Sequence, residues 1–466
     1  MSDERRFRSL QDAARFMETE IDQPVASRVT DLGSGLVLHT SALTLAGGGF
    51  TNVYDLSWES SATTAAVRFT PRPTVAVDAA RNSPATSSAA FFTLLDEASG
   101  LPVQTSLNLA IEQGQVLSMP VVDREALISR AGALSMCNLT AAGRVSINGT
   151  ELTWTGSRTE RQAECYVFGN GNMVITRRDD PEKGSVRVLD EASRLTPVLP
   201  PRAGWVDVGF TSTGGRGFRS TGIATDGGLD IFAYDLVMRC QARHVDLRGD
   251  NLLEIRSIGE LHVDAFPDSA VTVGPSLNVA DFATHPINTD RSLDVLPPFA
   301  PSRRARMTVF EDRVGRTHLR LFDGRPGSLV FQGATPQEAR DSIAADPGFR
   351  WGCFIDGGQT AKMWASLNGE LTSFGNRHYL RWPKADEKEF VWVPDSGRPI
   401  SSIITLQHRS ETQRAVNAAR SASLAFPQRP PAAQIDPEFS SPRPSTSAAA
   451  ARLGRGGPGS DAGRGR

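Results

Sequence analysis

Between residues 305 and 406, short apolar runs alternate with glycine- or proline-marked breaks, the pattern of strands joined by turns. Met307–Phe310 and Thr317–Phe322 read as two paired strands around a turn at Arg313-Val314-Gly315. Thr335-Pro336-Gln337-Glu338 reads as a helix start, with Thr as cap, Pro in the first turn and Glu closing a capping box. The helix is predicted to run to about Ala345 and to stop at Asp346-Pro347-Gly348. Trp351–Ile355 is a strand that ends in Asp356-Gly357-Gly358, and Phe390–Val393 and Ile400–Leu406 are further strands.

The earlier part of the chain is less regular. Phe7, Leu10, Ala14 and Met17 fall on one face of a short amphipathic helix predicted over residues 4–18. Leu36–Thr40, Ala65–Phe69 and Arg144–Ile147 are β-like runs, and Asn148-Gly149 is a hairpin turn signal. Tyr166-Val167, Met173–Ile175 and Ser185–Leu189 continue the pattern, with breaks at Pro200-Pro201 and at Gly214–Gly217. The expected fold is α+β and mainly β, with mixed sheets and a few short helices. The expected division is a helical segment 1–27, a domain 28–408 with an insertion around 165–265, and a disordered tail 409–466. The tail is dominated by Ala, Ser, Pro, Arg and Gly, a composition that buries too little apolar area to offset its ordering entropy.

Composition narrows the function classes. Net charge is -2 over 466 residues, so no global field draws the chain to nucleic acid or to an anionic membrane. Neither a secretory signal nor an apolar run long enough to span a membrane is visible, and a cytoplasmic location is expected. Asn138-Leu139-Thr140 and Asn148-Gly149-Thr150 are then chance matches to the glycosylation pattern. Cys137, Cys165, Cys240 and Cys353 are far apart and read as reduced thiols, without a zinc spacing. No metal and no cofactor is expected, because HExxH, GxSxG and Walker patterns are all missing from the sequence. Protein partners are not indicated.

Asp356 is the first candidate for chemistry. A strand end beside two glycines can bring a carboxylate to a ligand with little steric hindrance, although Asp is also an ordinary turn residue. Asp323-Gly324 repeats the arrangement and has the same turn reading. Glu338 is accounted for by the capping box, and the helix start offers N–H groups that favour anions. His378 can titrate near neutrality. Trp351 and Trp364 could offer a stacking face, with core packing as the plainer role.

The order of motifs from 274 to 406 resembles the phosphodiester glycosidase family. Gly274-Pro275-Ser276-Leu277, Arg304-Ala305-Arg306 followed by Gly315, Asp323-Gly324-Arg325, Gly333-Ala334-Thr335-Pro336-Gln337-Glu338 and Asp356-Gly357-Gly358 follow the family's sequence of elements. Ala89-Ala90-Phe91-Phe92 with Leu101-Pro102, and Val145–Arg158, are similar to two earlier family segments. There are departures. Ser88 stands where the family has Asn, Ala90 where it has Gly, Gln359 where it has the third Gly of the loop, and Thr360 where it has Ser.

The resemblance implies a hydrolase that cleaves the glycosidic bond of a sugar-1-phosphodiester to give sugar and a phosphomonoester. It implies Asp356, Asp323 and Glu338 as catalytic candidates. Arg306 or Arg304 would meet the phosphate, since a guanidinium offers paired donors to its oxygens. Gly357, Gly358, Gln359, Thr360 and His378 would complete the substrate contacts. The altered loop also fits a silent family member that binds a glycan or a protein.

Overall fold

A computed structural model of the chain describes residues 5–46, 48–74, 80–89, 108–157, 161–169, 201–225, 234–279, 303–325, 330–375, 378–381, 388–394 and 400–410, with single positions between them. The fold is α+β and mainly β.

A six-stranded antiparallel sheet carries the regular C-terminal part. Its strands are β1 (Arg28–Asp31), β2 (Val37–Thr44), β3 (Phe50–Trp58), β4 (Arg306–Glu311), β5 (Thr317–Asp323) and β6 (Trp351–Gly357). They lie in the order β1-β2-β3-β5-β4-β6. β4 and β5 form the expected hairpin, with Arg306 opposite Phe322 and Glu311 opposite Thr317. Gly315 takes φ +89° in its turn, a conformation glycine adopts without strain.

The sheet is covered on both faces, which is why β4, β5 and β6 read as nearly continuous apolar runs. One face packs Phe310, Phe322 and Phe354 against Ala339 and Ile343 of helix Pro336–Ala345. The other packs Leu56, Met307, Val309, Leu319 and Ile355 against residues of two five-stranded sheets, among them Val67, Leu127, Val271 and Ile404. One of those sheets, in the order Glu370–Phe374, Met363–Leu367, Ala85–Ser88, Ile400–His408 and Thr63–Thr74, continues the chain beyond β6.

The middle of the chain closes on itself. Seven strands between Ala142 and Ile258 pair in a ring, and the ring is completed by Ala142–Ile147 lying antiparallel to Leu252–Ile258. Its interior is filled by Val145, Trp154, Val167, Phe210, Met238 and Ile255. The ring takes strands from both sides of residue 165. Asn148 and Gly149 have φ +50° and +85° and form the predicted hairpin turn. Met173–Ile175, Ser185–Leu189, Ala90–Phe92, Leu101-Pro102 and residues 411–466 lie outside the described residues.

One helix expectation is corrected. Arg5–Phe7 is a strand paired with Phe390–Trp392, and the α-helix spans only Leu10–Phe16 before a π-helical turn at Met17–Ile21. Ser9 sets the boundary, because its hydroxyl accepts the Asp12 N–H as an N-cap. Phe7 therefore meets Phe16 from a strand, with ring centroids 5.3 Å apart. Among the described residues no helix is long and apolar enough to cross a membrane. All four cysteines are free, and Cys165, Cys240 and Cys353 are buried.

Candidate functional site

The five sequence elements meet around β6. Gly274 donates its N–H to the Phe354 carbonyl, the Phe354 N–H is accepted by Pro275, and Leu277 donates to Gly352, so the first element runs along β6. On the other side, Arg306 of β4 stands opposite Gly357, and Arg306 is also opposite Phe322, the neighbour of Asp323. The strand ends that carry Asp323, Arg306 and Gly357 thus share one end of the sheet. The Asp323 carbonyl accepts the Thr51 hydroxyl at 2.7 Å.

Two of the motif glycines are there for packing. A Cβ on Gly324 would lie 1.9 Å from the Gly333 nitrogen, and one on Gly333 would lie 2.3 Å from the Arg304 carbonyl carbon. Gly324 and Gln332 bridge, as do Arg304 and Ala334. These contacts bring the segments that follow β5 and precede β4 against the entry to the helix. Gly358 is different: it takes φ +68°, and a Cβ there would meet nothing within 4 Å.

The Asp356 loop is tightly built. Asp356 is 1% exposed. Its Oδ1 accepts the Gly357 N–H at 2.7 Å and the Thr360 hydroxyl at 2.6 Å, and that hydroxyl also lies 3.0 Å from the Gly357 carbonyl. The Gly358 N–H is accepted by Ala305 at 2.8 Å. Part of the Asp356 carboxylate therefore shapes its own loop, as a turn aspartate does. A bulge at Met307/Thr308 places Asp356 opposite Met307 at this strand end, where bulges commonly re-aim a side chain.

Arg306 is buried, and its Nε donates to the Ala334 carbonyl at 3.3 Å. A Cβ added to Gly357 would lie 3.8 Å from its Nη1, so the guanidinium sits between the helix entry and the glycine that follows Asp356. Burial pushes Arg306 down to about 9, with the charge of Arg304 adding to the effect. It remains a cation at neutral pH. Arg304 itself is half-buried and bridges to Ala334 by backbone hydrogen bonds.

Glu338 is held in a different way. Its Oε2 accepts the Thr335 N–H while Thr335 caps the Glu338 N–H, and Arg303 donates to both carboxylate oxygens. Burial raises its pKa, but Arg303 and the Thr335 hydrogen bonds overcome this and hold it below the usual range. The anion-favouring start of the helix is thereby occupied by the protein's own carboxylate.

The remaining candidates have side chains outside the described set or are taken up in packing. His378 belongs to the strand His378–Arg381 in a separate three-stranded sheet, and its side chain is outside the described set, as is that of Gln359. Trp364 packs with Ala80, Ile400 and Ile403, and Trp351 lies half-buried against the main core, so both serve packing. Among the described residues no group of three or more His, Cys, Asp or Glu is arranged to hold a metal ion. Two surface concavities, of about 650 Å³ beside Arg6 and Lys388 and about 410 Å³ beside Arg216 and Glu254, are lined by residues outside the Asp356 loop.

Two further residues border the loop: Lys362, which sequence reasoning passed over, and Ser88. Lys362 is 3% exposed. Burial pulls its ammonium down to about 8, partly offset by the nearby Asp356 carboxylate. Ser88 donates its N–H to the Lys362 carbonyl at 2.9 Å, and its hydroxyl accepts the Lys362 N–H at 3.2 Å. Ser88 thus packs directly against the segment leaving the Asp356 loop. A compositional signal for Lys362 does exist. Four of the 50 basic residues are lysines, at 183, 362, 384 and 388.

No family model and no curated protein matches the chain. Solved structures do. A hypothetical protein from Synechocystis superposes with a TM-score of 0.51 at 15% identity, covering 83% of this chain and 64% of that one. The chain thus spans less than two thirds of that protein, and the likeness is one of fold. A protein from Burkholderia pseudomallei K96243 gives a TM-score of 0.45 at 15% identity, over 77% of this chain and 74% of that one. The catalytic domain of zebrafish N-acetylglucosamine-1-phosphodiester alpha-N-acetylglucosaminidase, auto-inhibited by its pro-peptide, gives 0.36 at 12% identity, over 83% and 88%. The fold is thus similar to that of the Synechocystis protein, at a distance at which sequence identity names no family.

Proposed function

We propose that the protein is a hydrolase of sugar-1-phosphodiesters whose site is the Asp356–Thr360 loop with Arg306 beside it. One observation carries the reading. Five motifs spread over 85 residues, from Gly274 to Gly358, are joined by direct backbone contacts around β6. The substrate brings a phosphate, an acetal carbon and hydroxyls. Arg306 is the cation for the phosphate. Asp356 is the carboxylate for the reacting centre, with Asp323 at the neighbouring strand end for hydroxyl contacts. Gly358, facing open space, lets a ligand approach the backbone. The free thiols suit a reducing, cytosolic setting.

The test is turnover of a panel of sugar phosphodiesters by the purified full chain, read as phosphomonoester release. Asp356→Asn is expected to abolish turnover with an unchanged circular dichroism spectrum. Near-normal turnover by that variant would remove Asp356 from the reaction. A second reading, a silent member that binds glycan or protein, is favoured by the burial of Asp356 and by the two hydrogen bonds its Oδ1 already accepts. Binding of a panel sugar phosphate without turnover of any panel member would select it.

A further inference from the structure

Arg216 is the one residue with a side chain in the run Gly214-Gly215-Arg216-Gly217. Gly214 and Gly215 take φ +103° and +58°, and the run turns the strand Trp205–Gly214 directly into Gly217–Ala224, with Gly214 opposite Gly217. Arg216 and Arg256 line one concavity of about 410 Å³. Arg256 reaches it from the neighbouring strand. In the pairing of Ala142–Ile147 with Leu252–Ile258, Arg144 stands opposite Ser257 and Val145 opposite Ile255, so Arg256 is the extra residue of a bulge. The Ile255 N–H donates to the Arg216 carbonyl at 3.0 Å and ties the two segments together.

The concavity lies on the outside of the seven-stranded ring. Leu253 and Ile255 fill the interior, and Glu254 between them alternates outward, opposite Ser146 on one side and Gly217 on the other. Gly217 has no side chain, so the sheet is bare beside Glu254. Glu254 Oε1 meets Arg256 Nη1 at 3.1 Å and lies 3.9 Å from Arg216 Nη2. Two guanidinium groups and one carboxylate leave one positive charge. Acceptors are also short: among the described residues, Arg216 Nη1 and Arg256 Nε are shielded from solvent with no hydrogen-bond partner. Donors shut away in this state are costly, and an acceptor from outside relieves the cost. The Phe266 ring, centred 5.4 Å from Arg216 Cζ, helps to hold that guanidinium at the wall. Both side chains stay partly open, 24% exposed for Arg216 and 40% for Arg256.

We propose that this outer wall of the ring is a second ligand site, which binds the phosphate group of a small molecule between Arg216 and Arg256. It shares no residue with the Asp356 loop and does not depend on the hydrolase reading. Phosphate suits the wall better than a carboxylate does. One guanidinium fork satisfies a carboxylate, whereas two guanidiniums from separate segments offer donors from two directions, which a tetrahedral anion with several oxygens accepts. Ser146 and Thr213 add hydroxyls at the same wall. Glu254 is the internal counter-ion. It holds the arginines in the absence of ligand, and its charge opposes an incoming anion. Rotation of the arginine side chains about their outer torsions turns the shielded N–H groups onto phosphate oxygens. Leu252, 53% exposed, gives an apolar flank for the rest of an organic phosphate.

The test reads the site locally, apart from any binding at the Asp356 loop. Leucine methyl groups of the full chain are labelled with 13C, the Leu252 signals are assigned with Leu252→Met, and inorganic phosphate is titrated at constant ionic strength. The expected result is a saturable shift of the Leu252 methyls. Arg216→Gln and Arg256→Gln each weaken the binding by about tenfold, and Glu254→Gln strengthens it by a similar factor. Misfolding does not produce a gain, so Glu254→Gln decides the matter even where an arginine variant is unstable. Arg350→Gln, which breaks an exposed pair with Glu311 on the six-stranded sheet, is the control and leaves the affinity unchanged. Phenyl phosphate binding more tightly than inorganic phosphate marks an organic phosphate as the ligand, and equal binding marks the free ion. The absence of a saturable shift, full affinity in both arginine variants, or an affinity that Glu254→Gln leaves unchanged overturns the proposal.

Discussion

The Thr360 hydroxyl lies 2.6 Å from Oδ1 of Asp356 and closes a loop whose two intervening glycines carry no side chains. That single hydrogen bond joins the last residues of β6 to the segment that leads on to Lys362 and Ser88. A buried acceptor of this kind is costly to leave unsatisfied, so the residue at 360 is constrained by structure before any ligand is considered.

The hydroxyl, rather than the shape of the side chain, is what the loop uses. Thr360→Val keeps the branch and deletes the donor, and is expected to lower stability by about 1–3 kcal/mol and to loosen the loop. Thr360→Ser keeps the donor and should stay within about 1 kcal/mol of wild type. Urea unfolding of both variants measures the difference. Equal stability of the two would mean that the hydrogen bond is dispensable.

The motif glycines should separate into two classes. Gly324→Ala and Gly333→Ala force a Cβ to within 1.9 Å and 2.3 Å of backbone atoms, and each is expected to cost about 3 kcal/mol or more. Gly358→Ala meets no neighbouring atom, so its cost is the left-handed φ alone, about 1–2 kcal/mol. Thermal melts of the three variants test this ordering. The same comparison separates glycines that let the chain pack from the one that faces open space.

The regular part of the fold was legible because its signals are local. The β4–β5 hairpin, the Thr335 capping box and the strand ending in Asp356 are each written within one short contiguous segment. Pairings between distant segments were not legible. Nothing near Ala142–Ile147 announces that it closes a ring with Leu252–Ile258, more than 100 residues on. Nor does the sequence around Ser88 show that it packs on Lys362, 274 residues away. The Glu338 carboxylate was correctly read as a cap, but Arg303, its long-range partner, carries no local mark. At the N-terminus a helical spacing of apolar residues ran through Ser9, and the capping preference of serine prevailed over the period.

Glu338 should matter to stability far more than to chemistry. Glu338→Gln keeps one amide oxygen for the Thr335 N–H and loses the charge that Arg303 meets, for a cost of about 1 kcal/mol after allowing for its partial exposure. Turnover per folded molecule should remain near wild type. Its folded pKa is depressed, so this contribution is present above the ordinary carboxylate range and fades as pH falls through the folded value. A large fall in turnover of fully folded Glu338→Gln would return this residue to the reaction.

A network of buried charges joins β3 and β5. Asp55 on β3 faces β5, where its Oδ2 accepts the Arg320 guanidinium at 2.8 Å and meets His318 Nδ1 at 3.1 Å. His318 Nε2 meets Asp312 Oδ2 at 3.2 Å, and the imidazole stacks on Phe310 with centroids 4.5 Å apart. Burial pushes Asp55 up, but Arg320 and His318 more than offset this and hold it well below the usual carboxylate range. Asp55→Asn strands a buried guanidinium, and is expected to cost about 3–5 kcal/mol at neutral pH. The acid limb supplies the sign. A depressed carboxylate contributes stability above its unfolded value of 3.8 and loses it as pH falls through the lower folded value. Wild type should therefore lose stability below about pH 4 by this route, while Asp55→Asn, already without the pair, shows a shallower acid slope. Melting temperatures of both proteins across the acid range decide the matter, and parallel slopes would show that the Asp55 pair does not govern acid unfolding.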